Sequence, residues 1–217
     1  MSTQVEIELA GEPVALLPER ALYWPRGGAL VIADAHLGKA AAFRAGGLAV
    51  PEGVTAADLG RLERALERTG AARLVVLGDL LHARAGRAPA VLDAVAAWRA
   101  RRPGLELLLV RGNHDLGAGD PPADWGVTCV DEPHPWGPFV LRHTPGREAA
   151  GHVLAGHLHP AVALAGPGRQ RERLPCFLVG PGLTVLPAFG GFTGAATVRP
   201  VPGERAYVVA GDSVVAV

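Results

Sequence analysis

Three apolar runs in the first half of the chain each end abruptly on a polar motif. Ala29–Ala33 reads as a buried strand that stops at Asp34, Leu74–Leu77 stops at Gly78-Asp79, and Leu105–Val110 stops just before Gly112-Asn113-His114. Between these runs the apolar positions switch to helical spacing. Leu59, Leu62 and Leu66 share one face of a helix expected to run from a Thr55 cap to about Gly70. Val91, Leu92, Val95 and Trp98 do the same over Ala88–Arg102, whose last arginines lie favourably against the helix dipole. The order strand, helix, strand, helix, strand predicts an α/β sheet with its active site along the carboxyl edge.

Beyond Asp115 the pattern changes. Short strands are expected around Thr128–Val130, Phe139–Arg142, Val153–Ala155, Phe177–Val179, Thr197–Arg199 and Tyr207–Val217, separated by Gly/Pro turns. The second half therefore reads as a more β-rich sheet packed against the first. No internal repeat or low-complexity linker interrupts the 217 residues, so a single domain spanning 1–217 is expected. A chain of that length buries about three quarters of its unfolded surface.

Composition narrows the classes. The 21 basic and 21 acidic side chains cancel, so no global field draws in nucleic acid, although a local patch could serve. Lys39 stands alone among arginines, which reads mainly as codon bias. Cys129 and Cys176 fit neither metal spacing nor a secreted disulfide framework, which points to a reducing cytoplasm. Met1 to Pro13 lacks the basic-then-apolar order of a signal peptide, and Phe177 to Phe192 is broken by Gly180, Pro181, Gly182 and Pro187. A soluble cytoplasmic protein with no membrane partner is expected.

The polar motifs carry the chemistry. They are Asp34-Ala35-His36, Gly78-Asp79, Gly112-Asn113-His114-Asp115, a lone His143 and Gly156-His157-Leu158-His159. In an extended segment the two-residue spacing aims Asp34 and His36 to one side, and His157 and His159 repeat the arrangement. Mixed Asp, Asn and His donors suit Mn, Fe or Zn rather than Ca or Mg. A carboxylate such as Asp79 at a strand end can reach two ions about 4 Å apart, which could hold a bridging hydroxide and clamp phosphoryl oxygens. Each motif alone is weak; Asp-x-His is commonly a surface coincidence, and Gly-Asp is commonly a turn. Their joint order at strand ends is what carries the inference.

The set Asp-x-His, Gly-Asp, Gly-Asn-His-Asp, His, Gly-His-x-His resembles the calcineurin-like metallophosphoesterase superfamily. More narrowly, DAHLGK at Asp34–Lys39, GDLLH at Gly78–His82 and GHLHP at Gly156–Pro160 are similar to one bacterial subfamily, the ligase-associated DNA damage response endonucleases. So are PERALYWP at Pro18–Pro25, LPCF at Leu174–Phe177 and LPAFGGFTG at Leu186–Gly194, and the likeness runs from about Leu16 to the C-terminus. The resemblance implies a four-layer α/β sandwich of two mixed β-sheets flanked by helices, with a dimetal site at the strand carboxyl ends. It implies one ion on Asp34, His36, Asp79 and His159, and a second on Asp79, Asn113, His143 and His157. His114 would be the general acid, oriented by Asp115; Lys39, His82 and Arg111 are the candidates for contacting substrate. Two departures stand out. His82 occupies a position where much of the superfamily has Asp, which leans towards a diester substrate. Ala35 replaces a larger apolar residue, which should affect packing only.

The implied activity is hydrolysis of DNA phosphodiester bonds by an endonuclease linked to repair, using two divalent ions, Mn2+ foremost, with Fe or Zn as alternatives. Attack by a metal-bridging hydroxide and protonation by His114 would complete it. DNA is the expected substrate and a DNA ligase and helicase the implied partners, with a homodimer left open. Hydrolysis of a cyclic nucleotide or nucleoside polyphosphate is the rival, though no cap domain is visible; a catalytically dead metal-bound scaffold for ligase or helicase is the other. Elsewhere blander readings apply. His134 reads as an exposed turn residue, His152 as a satisfied structural histidine, and Trp98 as core. Trp24, Trp125 and Trp136 could stack bases. Lys39 divides evenly between solvent and phosphate. Arg169, Arg171 and Arg173 fit either a nucleic-acid backbone or a solvated hairpin.

Overall fold

The computed structural model describes residues 3–166 and 171–217. The chain opens with a meander, β1 Val5–Leu9, β2 Glu12–Leu17 and β3 Ala21–Trp24, which leads antiparallel into β4 Ala29–Ile32. From β4 the pairing turns parallel, through β5 Arg73–Leu77 and β6 Glu106–Val110 to β7 Val127–Val130. These strands form one sheet in sequence order. The parallel part needs crossovers, which α1 Lys39–Ala45, α2 Val54–Thr69, α3 Pro89–Ala100 and α4 Asn113–Ala118 provide. Among the described residues no α-helix follows Ala118.

The second sheet is built from β8 His134–Trp136, β9 Phe139–Leu141, β10 His152–Ala155, β11 Pro160–Ala165, β12 Arg171–Gly180, β13 Leu183–Val185 and β14 Ala196–Thr197. The hairpin β15 Arg205–Ala210 and β16 Ser213–Ala216 joins it through β12. Both sheets are mixed, the calcineurin-like sandwich that the motifs imply.

Strand alternation decides which layer each residue joins. On β4, Leu30 and Ile32 face α2 and α3 and pack with Leu59, Leu62, Leu66, Val95 and Trp98. Val31, with Ala33 just past the strand, faces the other way and packs with Phe139, Leu141, Leu154 and Phe177 of the second sheet. Strands buried on both faces read as unbroken apolar runs. Ala35 belongs to the helix-side core, as its expected packing role requires.

Several expectations need correction. Thr55 lies inside α2; the cap is Gly53, whose left-handed φ of +85° turns the chain into the helix. Val127–Val130 belongs to the first sheet, because it pairs parallel with β6. His134 sits on strand β8 and is half-buried, and Tyr207–Val217 is a hairpin broken at Gly211-Asp212. Trp24 and Trp125 are core, and Trp136 packs edge-on against Trp24 at 4.9 Å, so none of these rings is a free platform for bases. His152 donates to or accepts from Thr184 Oγ1 at 2.9 Å, a satisfied buried histidine. Arg171 and Arg173 lie on the β11–β12 hairpin, and Arg169 lies outside the described residues.

Candidate metal centre

Parallel register sets the carboxyl ends of β4, β5 and β6 side by side, so the loops carrying Asp34, Asp79 and Asn113 meet. Parallel β9 and β10 bring His143 and the His157–His159 loop to the same edge from the other sheet. An isolated bridge between Ala33 and Ala188 ties the two sheets there.

The side chains converge in two adjoining groups. His36 Nε2 lies 3.3 Å from His159 Nε2 and 3.7 Å from Asp79 Oδ2, while His159 Nε2 is 3.4 Å from Asp34 Oδ1. In the other group His143 Nε2 is 3.0 Å from both Asn113 Oδ1 and His157 Nδ1, and 3.6 Å from Asp79 Oδ1. Asp79 thus turns one oxygen to each group. Asp34, His36, Asp79 and His143 form a buried floor; Asn113 and His157 are exposed at the rim.

Surrounding backbone leaves the lone pairs of this cluster free. His143 Nδ1 donates to the Leu77 carbonyl at 3.1 Å and His159 Nδ1 to Gly194 at 3.0 Å, which leaves each Nε2 as a bare donor atom facing inwards. Asp34 Oδ2 accepts the His157 N–H at 2.8 Å, but its Oδ1 is buried with no hydrogen-bond partner. An unsatisfied buried carboxylate oxygen beside bare imidazole nitrogens is costly unless a cation shares the space. The donor set therefore fits divalent metal.

Backbone strain is concentrated at the same residues. Seven described non-glycine residues have positive φ, and five of them are Asp34, His36, Asp79, His157 and His159. Each left-handed residue costs roughly 1–2 kcal/mol, and such strain collects where geometry is functional. The Asp-x-His and His-x-His segments are consequently not extended, and their side chains converge because the chain curls at each donor. Glycine makes the approach close enough: a Cβ on Gly112 would lie 2.2 Å from Asp79 Oδ1, and one on Gly78 would lie 2.1 Å from His143 Nδ1.

Around the cluster, His114 is half-buried, with Nδ1 on the His82 carbonyl at 2.7 Å and Nε2 4.0 Å from Asp79 Oδ2. Asp115 does not orient it. Its carboxylate accepts the backbone N–H groups of Asp79 at 2.7 Å, Gly112 at 3.0 Å and Leu81 at 3.1 Å, because a third-position helix acid folds back over the helix start. His82 stacks on His114 at 4.7 Å, and its Nδ1 is 3.3 Å from His36 Nδ1. Burial, then neighbouring positive charge, lowers His36 to about 2 and His82 to about 4, so both rings are neutral at ordinary pH.

Lys39 opens α1 with Nζ 6.0 Å over the Phe43 ring; burial lowers its pKa, and Asp79 opposes that. Arg111 is turned elsewhere. Its guanidinium pairs with Asp120 at 2.7 Å and Asp131 at 3.0 Å, fastening α4 to β7 rather than presenting a free cation. Sequence reasoning missed Glu132, which accepts the N–H groups of His143 at 2.6 Å and Thr144 at 2.8 Å and so holds the His143 loop. No motif marks it; an acid just after a strand has no signal of its own.

Among the described residues no helix is long and apolar enough to cross a membrane. No protein-family model matches the chain, and no curated protein matches it. Among solved structures, the Pseudomonas putida nuclease MPE is 42% identical with a TM-score of 0.87, over 99% of this chain and 100% of that one. YfcE, a phosphoesterase from E. coli, is 17% identical over 84% of this chain and 88% of its own, with a TM-score of 0.37, too remote to bear on the site.

Proposed function

The chain belongs to the calcineurin-like metallophosphoesterases, and we propose that within them it is a dimetal phosphodiesterase that cuts DNA. The chain is a metal-dependent phosphoesterase. The dimetal reading is supported by the double cluster around Asp79, and the DNA reading by full-length likeness to a nuclease. Asp34, His36, Asp79 and His159 would hold one ion, and Asp79, Asn113, His143 and His157 the other. Their mixed nitrogen and oxygen donors suit Mn2+, with Fe or Zn as alternatives. Bound there, two divalent ions would supply an activated water and offset the charge that builds on the phosphoryl oxygens.

The protein's own groups do the rest. The buried floor fixes the donor atoms, and the exposed Asn113 and His157 leave the phosphate an open approach. With Nδ1 of His114 held by the His82 carbonyl, its Nε2 is the nitrogen left to give a proton to the departing oxygen. Lys39, whose charge is coupled to that of Asp79, would steady a substrate phosphate.

Circular single-stranded DNA tests this reading, because only an internal cut opens it. Protein stripped of metal and reloaded with Mn2+ should open the circle, and Asp79→Asn prepared identically should not. Rapid turnover of cyclic nucleotides or nucleoside polyphosphates with the circle intact would overturn the DNA assignment and keep the metal centre.

A further inference from the structure

A cleft of about 260 Å3 leaves the centre at His159 and runs between the two sheets, past Arg173, Arg20, Thr193 and Gly194. No acidic side chain lines it. It adjoins a second cleft of about 250 Å3, with which it shares Arg20 and Pro175, and which carries Arg64. This outer cleft also holds two acids, Glu19, which is engaged by Arg68 at 2.9 Å, and Asp212. Among the described residues Arg20, Arg173 and Arg64 form no ion pair; Arg20 and Arg173 have only long contacts of 3.4–3.5 Å to carbonyl oxygens.

Arg20 is unusual twice over. It occupies the left-handed position of the β2–β3 turn at φ +62°, where glycine or asparagine would be unstrained. Arg20 is also half-buried, and that burial, together with the charge of Arg61, lowers its pKa. Asp58 opposes that shift but is itself paired with Arg61 at 3.2 Å. Strain and desolvated charge with no anion of its own call for an anion from outside. Net charge is zero, so this local field is what a polyanion would meet.

We propose that this cleft holds the sugar-phosphate backbone of a nucleic-acid strand on one side of the scissile bond. Arg173 and Arg20 take the phosphates nearest the centre, and Arg64 takes one further out. The inference rests on the phosphodiesterase reading and deepens it: the preferred substrate is a polynucleotide, because arginines spread over two adjoining clefts offer contacts to more than one phosphate.

Kinetics on two substrates test it, a single-stranded oligonucleotide of about 20 residues and the small diester bis-p-nitrophenyl phosphate, each with Mn2+ over a range of salt. For Arg173→Ala and Arg20→Gln the ratio of oligonucleotide KM to small-diester KM should rise about tenfold, the size of one charge-assisted hydrogen bond. The slope of log affinity against log salt should become shallower by about 0.7 for each phosphate no longer neutralised. Arg173 is exposed, so its variant is not open to a folding explanation. An unchanged ratio and salt slope in both variants, with wild type cutting the oligonucleotide, overturns the inference alone. Wild type that hydrolyses the small diester but no oligonucleotide overturns the DNA reading, and the inference with it.

Discussion

Asp115 stands next to His114 in sequence and faces away from its ring. Three backbone N–H groups converge on its carboxylate, so it clamps the Gly78–Asp79 loop and the start of α4 together. Burial, with the Asp79 charge adding to it, outweighs those donors and raises its pKa. Asparagine cannot accept on both sides, since its NH2 would meet an N–H. Asp115→Asn should therefore cost about 1–3 kcal/mol of stability and weaken metal binding, read by thermal unfolding and calorimetry. His114→Asn should leave metal binding intact and lose turnover mainly on diesters with poor leaving groups. An Asp115→Asn variant with normal stability and a defect confined to turnover would restore the view that it orients His114. Sequence spacing could not make this distinction: adjacency does not say which way a side chain folds at a helix start.

At the level of elements, the buried parallel strands were legible because both faces are covered. Leu30 and Ile32 serve the helices while Val31 serves the other sheet, so β4 shows as an unbroken apolar run. The opening meander leaves a trace in the alternation of Val5, Ile7 and Leu9 with Glu6 and Glu8, but five residues of alternation do not name a partner strand. The sheet that takes Val127–Val130 was not legible, because pairing partners are long-range and nothing local in Val-Thr-Cys-Val names β6. The donors themselves were legible as residue types, whereas their left-handed backbone was not, since Asp and His carry no local preference strong enough to announce it. The glycines before them show why the motifs have their form. Gly78→Ala would combine a φ of +79° with a Cβ 2.1 Å from His143 Nδ1. We expect at least about 1 kcal/mol of destabilisation from the backbone conformation and a larger loss of affinity at the His143 group. Titration with Mn2+ checks this, and two sites filling as in wild type would contradict it.

The whole molecule closes around its metal site rather than around a single core. Asp34, His36, Asp79 and Asn113 come from the first sheet's loops, and His143, His157 and His159 from the second, so an ion bound between them is a cross-link between layers. Chelation should then lower Tm, by an amount that follows the ligand term, about 2.7 kcal/mol when free metal is a hundredfold above its dissociation constant. The shift should also depend on pH. Burial pushes the Asp79 carboxyl up, and Asp34 raises His159 although burial opposes its charge. For the metal-free protein, raised groups contribute stability that is present below their unfolded values and lost as pH rises through the folded ones. The metal-bound protein runs the other way, because both donors must be deprotonated to bind. The difference in Tm between metal-loaded and chelated protein should consequently widen from about pH 5 to about pH 8. A constant difference across that range would mean that metal does not compete with protons at Asp79 and His159, and would remove these two residues from the donor set.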